Sequence, residues 1–247
     1  MLGSVAAALL LWGCTAQHAA TGITATPSAA LVRDTATALP PTRTATARPQ
    51  LPTATPSPPP RLFTEDFSAG SPGWTFLQAS AGQEAAAPGV SNGFLRFDLP
   101  APNQWLYEIY PSQRYSDVRL DAQVELGANG QAAAGLICRY DPAAGWYEFN
   151  VYADQTYTLL FGQWLTNGVA HYTPLVIDKS EKIAPSTNEI GLQCQGDILT
   201  PYINGVQLRR RQEKLHVLEQ GQVGISASSF EDSPLVILYD WVSVSQP

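Results

Sequence analysis

Trp146, Glu148, Asn150 and Tyr152 occupy alternate positions of the segment WYEFNVY, residues 146–152. If the segment is a β-strand, successive side chains point to opposite faces, so these four lie together on one face. Aromatic rings stack on the apolar C–H face of a sugar, while carboxylate and amide groups bind its hydroxyls. The spacing therefore predicts a carbohydrate-binding face. The alternative, which stays open, is that these aromatic side chains pack in a core or a cross-strand ladder.

Three further residues are candidates for the same ligand site. Trp105, in the strand-like segment 104–110, and Trp164, two residues after the strand-like segment 156–162, would supply additional stacking surfaces. Arg139 follows Cys138 and leads into Asp141, so its guanidinium either binds the ligand or pairs with a neighbouring acid. Such an arginine on a strand more often pairs with an acid, and we favour that interpretation.

The acidic residues are not spaced for glycoside hydrolysis on a single strand. No two of them stand at positions i and i+2, and Asp121 and Glu125, which share a face, would lie about 13 Å apart. Glycosidases need carboxylates about 5 to 9.5 Å apart. No G-x-S-x-G, H-E-x-x-H or phosphate-binding loop is present. We therefore favour a non-catalytic protein, with carboxylates from separate strands as the arrangement that would still permit hydrolysis.

Charge argues against a nucleic-acid partner. Residues 61–247 contain 11 basic and 20 acidic side chains, a net charge of −9. A domain with this charge repels a phosphate backbone.

The N-terminus has the pattern of an export signal. Residues 4–12 form an apolar run that is too short to span a bilayer, which needs about 20 residues. The run ends at Leu11-Trp12-Gly13-Cys14, which resembles the lipobox of bacterial lipoproteins. By that resemblance residues 1–14 are a signal peptide ending at the lipobox, and Cys14 becomes the acylated first residue of an exported, membrane-anchored protein that faces outside. The alternative is an ordinary cleaved signal peptide with an incidental cysteine.

The two remaining cysteines fit an exported protein. Cys138 and Cys194 form an even pair in strand-like segments, which predicts a disulfide between neighbouring strands. Closing this loop would remove about 4 kcal/mol of freedom from the unfolded chain in the chain-entropy model. Two buried free thiols are the alternative, and a two-cysteine metal site is less favoured because no histidine has ligand spacing.

Residues 15–60 are predicted to be a disordered tether. They contain 11 Thr, 11 Ala and 9 Pro, a composition that buries too little apolar surface to offset the entropy of ordering. We interpret the segment as a spacer between membrane and domain.

Residues 61–247 have the pattern of an all-β domain. In DVRLDAQVEL, residues 117–126, apolar and polar residues alternate strictly, which is typical of a half-buried strand. Asn204-Gly205 predicts a two-residue hairpin turn, and Asp154-Gln155 could close another turn. Residues 210–220 form either a short helix or a charged loop. About a dozen short antiparallel strands predict a two-sheet β-sandwich of the jelly-roll type.

The order of motifs resembles the concanavalin A-like lectin/glucanase superfamily, in particular its laminin-G-like and 3-keto-disaccharide-hydrolase-like domains of exported bacterial proteins. The resemblance covers nearly all of residues 61–247 and is carried by EDFS…GW (65–74), GLICRYD…GWYEFNVY (135–152), NEIGLQCQGDILTPYINGVQL (188–208), GQVGISA (221–227) and ILYDWVSV (237–244). It implies a curved two-sheet jelly roll whose concave face often binds carbohydrate. The Glu-x-Asp-x-x-Glu motif of the glucanases is absent.

The resemblance also implies where a structural Ca²⁺ would bind. Many such jelly rolls hold Ca²⁺ where the first and last strands meet, and Asp66 and Asp240 are the matching acids; the alternative is that they cap backbone N–H groups. No other cofactor is expected, and the sequence does not indicate an oligomeric state. We expect a surface-anchored, non-catalytic carbohydrate-binding module, with a protein-interaction or structural module and a hydrolase of a sugar derivative as alternatives.

Overall fold

The computed structural model describes residues 61–80, 84–127, 132–165, 168–231 and 233–247. The predicted signal peptide, Cys14 and the tether lie outside these residues. The described chain forms β-strands joined by turns and loops: β1 (Phe63–Glu65), β2 (Thr75–Ser80), β3 (Gly89–Ser91), β4 (Phe94–Leu99), β5 (Gln104–Tyr115), β6 (Val118–Leu126), β7 (Ala132–Asp141), β8 (Gly145–Tyr152), β9 (Thr156–Trp164), β10 (Ala170–Lys179), β11 (Thr187–Gln195), β12 (Ile198–Ile203), β13 (Val206–Gln207), β14 (Arg211–Gln212), β15 (Gly221–Ser229) and β16 (Leu235–Ser245).

The strands form two antiparallel sheets. One has seven strands in the order β10-β9-β8-β7-β15-β5-β2. The other has nine, in the order β13-β12-β11-β6-β16-β4-β3, with β1 added to β16 and β14 to β12. The predicted two-sheet, all-β fold class is therefore confirmed. Residues 210–220 form a loop with the short strand β14, and no helix among the described residues is long and apolar enough to cross a membrane.

Alternation along the strands builds the core between the sheets. Along β6, Val118, Leu120, Ala122, Val124 and Leu126 are buried, while the polar residues between them are half-exposed. The period of two follows from the pleat of the strand.

One carboxyl group breaks this pattern. Glu108 lies on the inner face of β5, level with Ile225 of β15, and is 4% exposed. Burial raises its pKa to about 7, because a charged carboxylate loses hydration inside the protein.

The turns follow their local sequences. Asn204 and Gly205 have φ angles of 48° and 76° and join β12 to β13, as the Asn-Gly pair predicts. Gln155, with a φ of 70°, lies in the turn between β8 and β9. β10 is the last strand of its sheet, and its register with β9 shifts between Pro174 and Val176.

The disulfide between Cys138 and Cys194 is confirmed, but the strands that it joins are not neighbours. Cys138 is on β7 of the seven-stranded sheet and Cys194 is on β11 of the nine-stranded sheet. Both side chains point inward and are completely buried. The prediction of neighbouring strands was wrong because alternation shows which face a cysteine occupies but not which sheet contains its strand.

Candidate functional site

Six of the predicted ligand-binding residues lie on the outer face of the seven-stranded sheet. Trp146, Glu148, Asn150 and Tyr152 follow one another along β8 on the face opposite the core residues Tyr147, Phe149 and Val151. The register pairs Trp146 with Gly162 of β9, and Trp164 follows two residues later on the same face. Trp105 reaches this face from β5, where it pairs with Ser228 of β15.

This outer face is concave. Tyr107 of β5 and Tyr172 of β10 both project from it, and four strands lie between β5 and β10. In a flat sheet these strands would be about 24 Å apart, which is farther than two tyrosine side chains can reach. Their hydroxyl groups nevertheless form a hydrogen bond. The sheet must therefore curl around its outer face into a cleft, and the two phenols meet across it.

Aromatic rings fill the middle of the cleft. We call Trp105, Tyr107, Tyr140, Trp146, Trp164 and Tyr172 the aromatic layer. The ring of Trp146 lies 5.2 Å from that of Trp164 and 5.9 Å from those of Tyr107 and Tyr172. It rests over Gly162, where an added Cβ would overlap the indole ring, so a side chain at this position would displace Trp146.

Trp146 is 0% exposed, which corrects its predicted role as an open stacking surface. Its indole ring is covered by the other rings of the aromatic layer and has no face free for a ligand. The even spacing placed Trp146 on the correct face of β8, but it could not show that the curvature of the sheet brings other rings over it. Trp105 and Trp164 remain half-buried at the margin of the layer.

Glu148 lies beneath the aromatic layer at the centre of the face and is 1% exposed. The Nε1–H of Trp146 donates to its Oε2 atom at 2.9 Å, and Ser226 Oγ donates to its Oε1 atom at 2.7 Å. Burial raises the pKa of Glu148, whereas the hydrogen bonds from Trp146, Ser226 and Asn150 act in the opposite direction. The carboxyl group thus orients Trp146 and Ser226.

Asn150 and Thr158 extend this polar set along the face. Gly135 of β7 separates Asn150 from Ser226, and a Cβ there would overlap both Asn150 Oδ1 and Ser226 Oγ. Thr158 is paired with Asn150 and is 7% exposed. Its Oγ1 atom is buried beside the phenol of Tyr152, and the contact between these two hydroxyl groups lowers the pKa of Tyr152, although burial raises that pKa more. No other described residue forms a hydrogen bond with Oγ1.

An open end of the cleft lies beside Thr158. Trp105 contacts Phe230 with ring centroids 6.1 Å apart, and Phe230 contacts Tyr152 at 5.7 Å. All three rings are half-buried. We call Trp105, Phe230, Tyr152 and Thr158 the open end; it combines aromatic surface with the neighbouring hydroxyl groups of Tyr152 and Thr158.

Arg139 does not belong to the cleft, which corrects its predicted role as a ligand-binding residue. The register of β7 against β8 shifts after Cys138, and Arg139 has a φ of 54°. This bulge turns its guanidinium into the protein, where it donates to the backbone carbonyls of Ser116, Gly196 and Leu218 at 2.7–2.8 Å. The alternative interpretation, pairing with an acid, fits better, although the contact with Asp117 is long at 3.4 Å.

Asp66 and Asp240, the predicted Ca²⁺ ligands, have other surroundings. Asp66 accepts hydrogen bonds from the N–H and Oγ of Ser68, and these bonds lower its pKa. Asp240 is half-buried, at a register shift of β16 against β6. Among the described residues, no group of three or more His, Cys, Asp or Glu could hold a metal ion.

A groove of about 540 Å³ lies on the outer face of the nine-stranded sheet. Asp66 and Trp241 are among its lining residues. None of the residues predicted to bind a sugar lines it.

Sequence reasoning missed Tyr107 and Tyr172. Tyr107 lies in the predicted strand 104–110 and could have been assigned to the same face as Trp105 by its even spacing. Tyr172 lies in a segment that the sequence did not mark as a strand, and no local pattern predicts that the two phenols meet.

Two comparisons of this chain with known proteins find nothing: no protein-family model matches it, and no curated protein matches it. Solved structures do match. A β-glucanase of Bacillus licheniformis is 15% identical, with a TM-score of 0.52, and the match covers 75% of this chain and 98% of that one. A mixed-linkage glucan GH16 protein of Bacteroides ovatus, in complex with a product, is 11% identical with a TM-score of 0.56, covering 74% and 99%.

A third similar structure is the CBM2 module of an evolved Dit protein from Lactobacillus casei BL23 phage J-1. It is 11% identical with a TM-score of 0.51, covering 74% of this chain and 93% of that one. At these identities the likeness shows the fold: this chain has the concanavalin A-like jelly roll that its motif order indicates.

Proposed function

We propose that this chain is a non-catalytic glycan-binding protein, exported and held on the cell membrane by a lipid anchor at Cys14. The glycan binds at the open end of the cleft. The observation that carries this proposal is the combination of half-buried rings, Trp105, Phe230 and Tyr152, with the neighbouring hydroxyl groups of Tyr152 and Thr158. A sugar presents an apolar C–H face for the rings and hydroxyl groups that can hydrogen-bond to the phenol of Tyr152.

The names of the similar structures support a carbohydrate over other small ligands. A β-glucanase, a GH16 protein with a bound product and a carbohydrate-binding module share this fold. Because fold alone does not determine function, these names indicate only the class of ligand, and the open end of the cleft carries the proposal.

The surroundings of Glu148 support binding without catalysis. Glu148 is the single carboxyl group in the middle of the outer face within the described strands, while Asp141 at the end of β7 is bound by Arg114. Both oxygens of Glu148 already accept hydrogen bonds from the protein. Glycoside hydrolysis requires two carboxyl groups on either side of the scissile bond.

The decisive experiment is a broad glycan array with the full chain, followed by calorimetry on the best ligand. Trp105→Ala should weaken binding about tenfold or more, because one stacking surface is lost. Trp241→Ala, which removes a half-buried tryptophan from the nine-stranded sheet, is the matched control and should leave affinity unchanged. Absence of binding across the array, or equal loss in both variants, would overturn the proposal.

Thr158→Val tests the hydroxyl directly. The change removes a buried oxygen whose polar contact among the described residues is the Tyr152 phenol, so the stability of the free protein should change little, while the affinity for glycan falls because Tyr152 is no longer held in place. A variant that loses stability but binds normally would show that the hydroxyl serves the fold instead.

The anchor has its own test. Cells given a labelled fatty acid should incorporate it into this protein, and Cys14→Ser should abolish incorporation and release the protein from the membrane. Incorporation that persists in Cys14→Ser would contradict the anchor without affecting the glycan site.

A protein-interaction or structural module is the second candidate function. The closed contact of Tyr107 with Tyr172 and the complete burial of Trp146 favour it, because most of the aromatic layer is occupied by its own members. A negative glycan array would leave this candidate ahead. Turnover of disaccharide derivatives that is lost in Glu148→Gln would instead support a hydrolase.

A further inference from the structure

The loop that connects β13 to β15 exposes two large apolar side chains. We call residues 209–217 the basic loop. Leu215 is 82% exposed and Val217 is 61% exposed. They lie two positions apart, so both project from the same stretch of backbone, whereas most other aliphatic side chains of the described residues are buried.

Hydrogen bonds hold the backbone of the basic loop in place. Glu213 is 1% exposed, and its Oε1 atom accepts the N–H groups of Leu215 and His216 at 2.7 and 3.0 Å. The hydroxyl of Tyr147 donates to the carbonyl of His216 and accepts the N–H of Leu218 at 3.0 Å. The backbone is thereby fixed on both sides of Leu215 and Val217.

The side chain between the two apolar residues points the other way. The ring of His216 stacks on that of Phe161, with centroids 4.3 Å apart and planes 22° from parallel. Because His216 faces the protein, Leu215 and Val217 on either side of it face away. Turning them inward would break this stack and the hydrogen bonds to Glu213, so their exposure is built into the fold.

Basic side chains precede the exposed apolar side chains, and one exposed acid, Glu219, follows them. Arg209, Arg210 and Lys214 are exposed, and among the described residues none of them forms an ion pair with a carboxylate. Arg211 lies 3.6 Å from Glu213 Oε2. The basic loop thus contains 4 basic residues and 1 acidic residue, whereas the rest of residues 61–247 contains 7 basic and 19 acidic residues.

We propose that the basic loop docks onto the surface of an anionic lipid bilayer, with Leu215 and Val217 entering the boundary between headgroups and acyl chains. Apolar side chains flanked by cations are the chemistry of interfacial membrane binding. An acidic polysaccharide would use the cations but would give no reason to hold Leu215 and Val217 outward. The acidic remainder of the domain would be repelled by the same surface, which orients the loop towards the membrane. This docking is independent of the glycan site and of acylation at Cys14.

Vesicle binding of the full chain tests the proposal, with Cys14→Ser introduced throughout so that no acyl chain contributes. Vesicles of phosphatidylcholine alone are compared with vesicles that also contain phosphatidylglycerol. The protein should bind the anionic vesicles more tightly, and added salt should weaken that binding. The apolar run at residues 4–12 is common to all variants, so differences between them report on the loop.

Separate variants test the apolar side chains and the basic side chains of the basic loop. Leu215→Ala with Val217→Ala should reduce partitioning about tenfold, because two apolar side chains no longer enter the interface. Ile177→Ala, a 63% exposed residue on β10, is the matched control and should bind as the parent does.

Arg209→Glu with Arg210→Glu should reduce partitioning at least about 25-fold, since each cation near the surface contributes a factor of about five. Lys182→Glu, another exposed cation, should have little effect.

Three results would overturn the proposal. They are equal binding to neutral and anionic vesicles, unchanged binding of the double alanine variant, and stronger binding to a soluble acidic polysaccharide that does not depend on Leu215 and Val217. Thermal melting of every variant confirms that the fold is retained, so a loss of binding can be assigned to the exposed side chains.

Discussion

The side chains on the outer faces of the two sheets are buried to different extents. On the seven-stranded sheet, Trp146 and Glu148 are covered by residues from strands on both sides. On the nine-stranded sheet, polar residues pair along their own strand, as Arg119 does with Asp121 at 2.7 Å, and both stay partly exposed. The alternation of the strands is the same in both sheets. The difference is curvature, which brings side chains of the seven-stranded sheet together across the cleft and gives its outer face a second, smaller core.

Replacing one tryptophan on each face tests that difference most strongly. Trp146→Ala should lower the free energy of unfolding by about 4 kcal/mol, because it leaves a large cavity and removes a hydrogen-bond donor from Glu148. Trp241→Ala on the nine-stranded sheet should cost about 1 kcal/mol, since Trp241 is only half-buried. Urea denaturation measures both. Equal losses would mean that the aromatic layer is not a core.

The glycines that permit close side-chain packing provide the next comparison. Gly135→Ala should cost about 2–3 kcal/mol, because the new Cβ meets Asn150, Ser226 and, at 3.0 Å, the backbone oxygen of Phe149. At Gly191 on the other sheet the new Cβ would lie 2.6 Å from Asp121 Oδ1, the end of a partly exposed side chain that can move. Gly191→Ala should therefore cost about 1 kcal/mol. Chemical denaturation in parallel decides the order, and the reverse order would contradict our description of the cleft.

A carboxyl group inside the sandwich should affect the pH dependence of stability more than a carboxyl group on its surface. Burial raises the pKa of Glu108 from 4.5 to about 7. The stability that this carboxyl group contributes to the fold is therefore fully present below about pH 4.5 and is lost as the pH rises through 7. Glu108→Gln should raise stability by about 2 kcal/mol near pH 8, allowing for partial hydration, and change it little near pH 4. Glu125→Gln on the outer face of β6 is the control. Stability curves that stay parallel for parent and Glu108→Gln across this range would contradict the burial of Glu108.

The smallest effect is expected for the ion pair on the nine-stranded sheet. Asp121→Asn should lower stability by about 0.5 kcal/mol, and added salt should reduce the difference, because exposed ion pairs are screened. Thermal melting at low and high salt measures it. A loss as large as that of Gly135→Ala would show that the two faces are not so different.

Most of the fold could be predicted because its signals are local. The alternation at residues 117–126 corresponds to β6, Val118–Leu126, and the Asn204-Gly205 turn joins the expected strands. Each depends only on the pleat of a strand or the φ angles of two residues. The disulfide was predicted from the pairing of cysteines, but its position across the two sheets depends on topology, which no local pattern contains.

The candidate site was predicted less completely, for two physical reasons. Alternation assigned Trp146 and Glu148 to one face, but their burial depends on how far the whole sheet curls. Arg139 was assigned by its place in β7, and one bulge was enough to turn it away from the cleft. The contact between Tyr107 and Tyr172 depends on both curvature and strand order.

The position of Tyr172 on an edge strand gives the two walls of the cleft different mechanical properties. β5, which carries Tyr107, is hydrogen-bonded to strands on both sides, whereas β10 is bonded to β9 alone and its ladder is interrupted near Pro174. A molecule that enters between Tyr107 and Tyr172 must separate their hydroxyl groups, and of the two walls β10 is the one held by a single backbone ladder. Discrimination by ligand width would then depend on the strength of a single backbone ladder, so substitutions along β10 that touch no ligand could change which molecules fit.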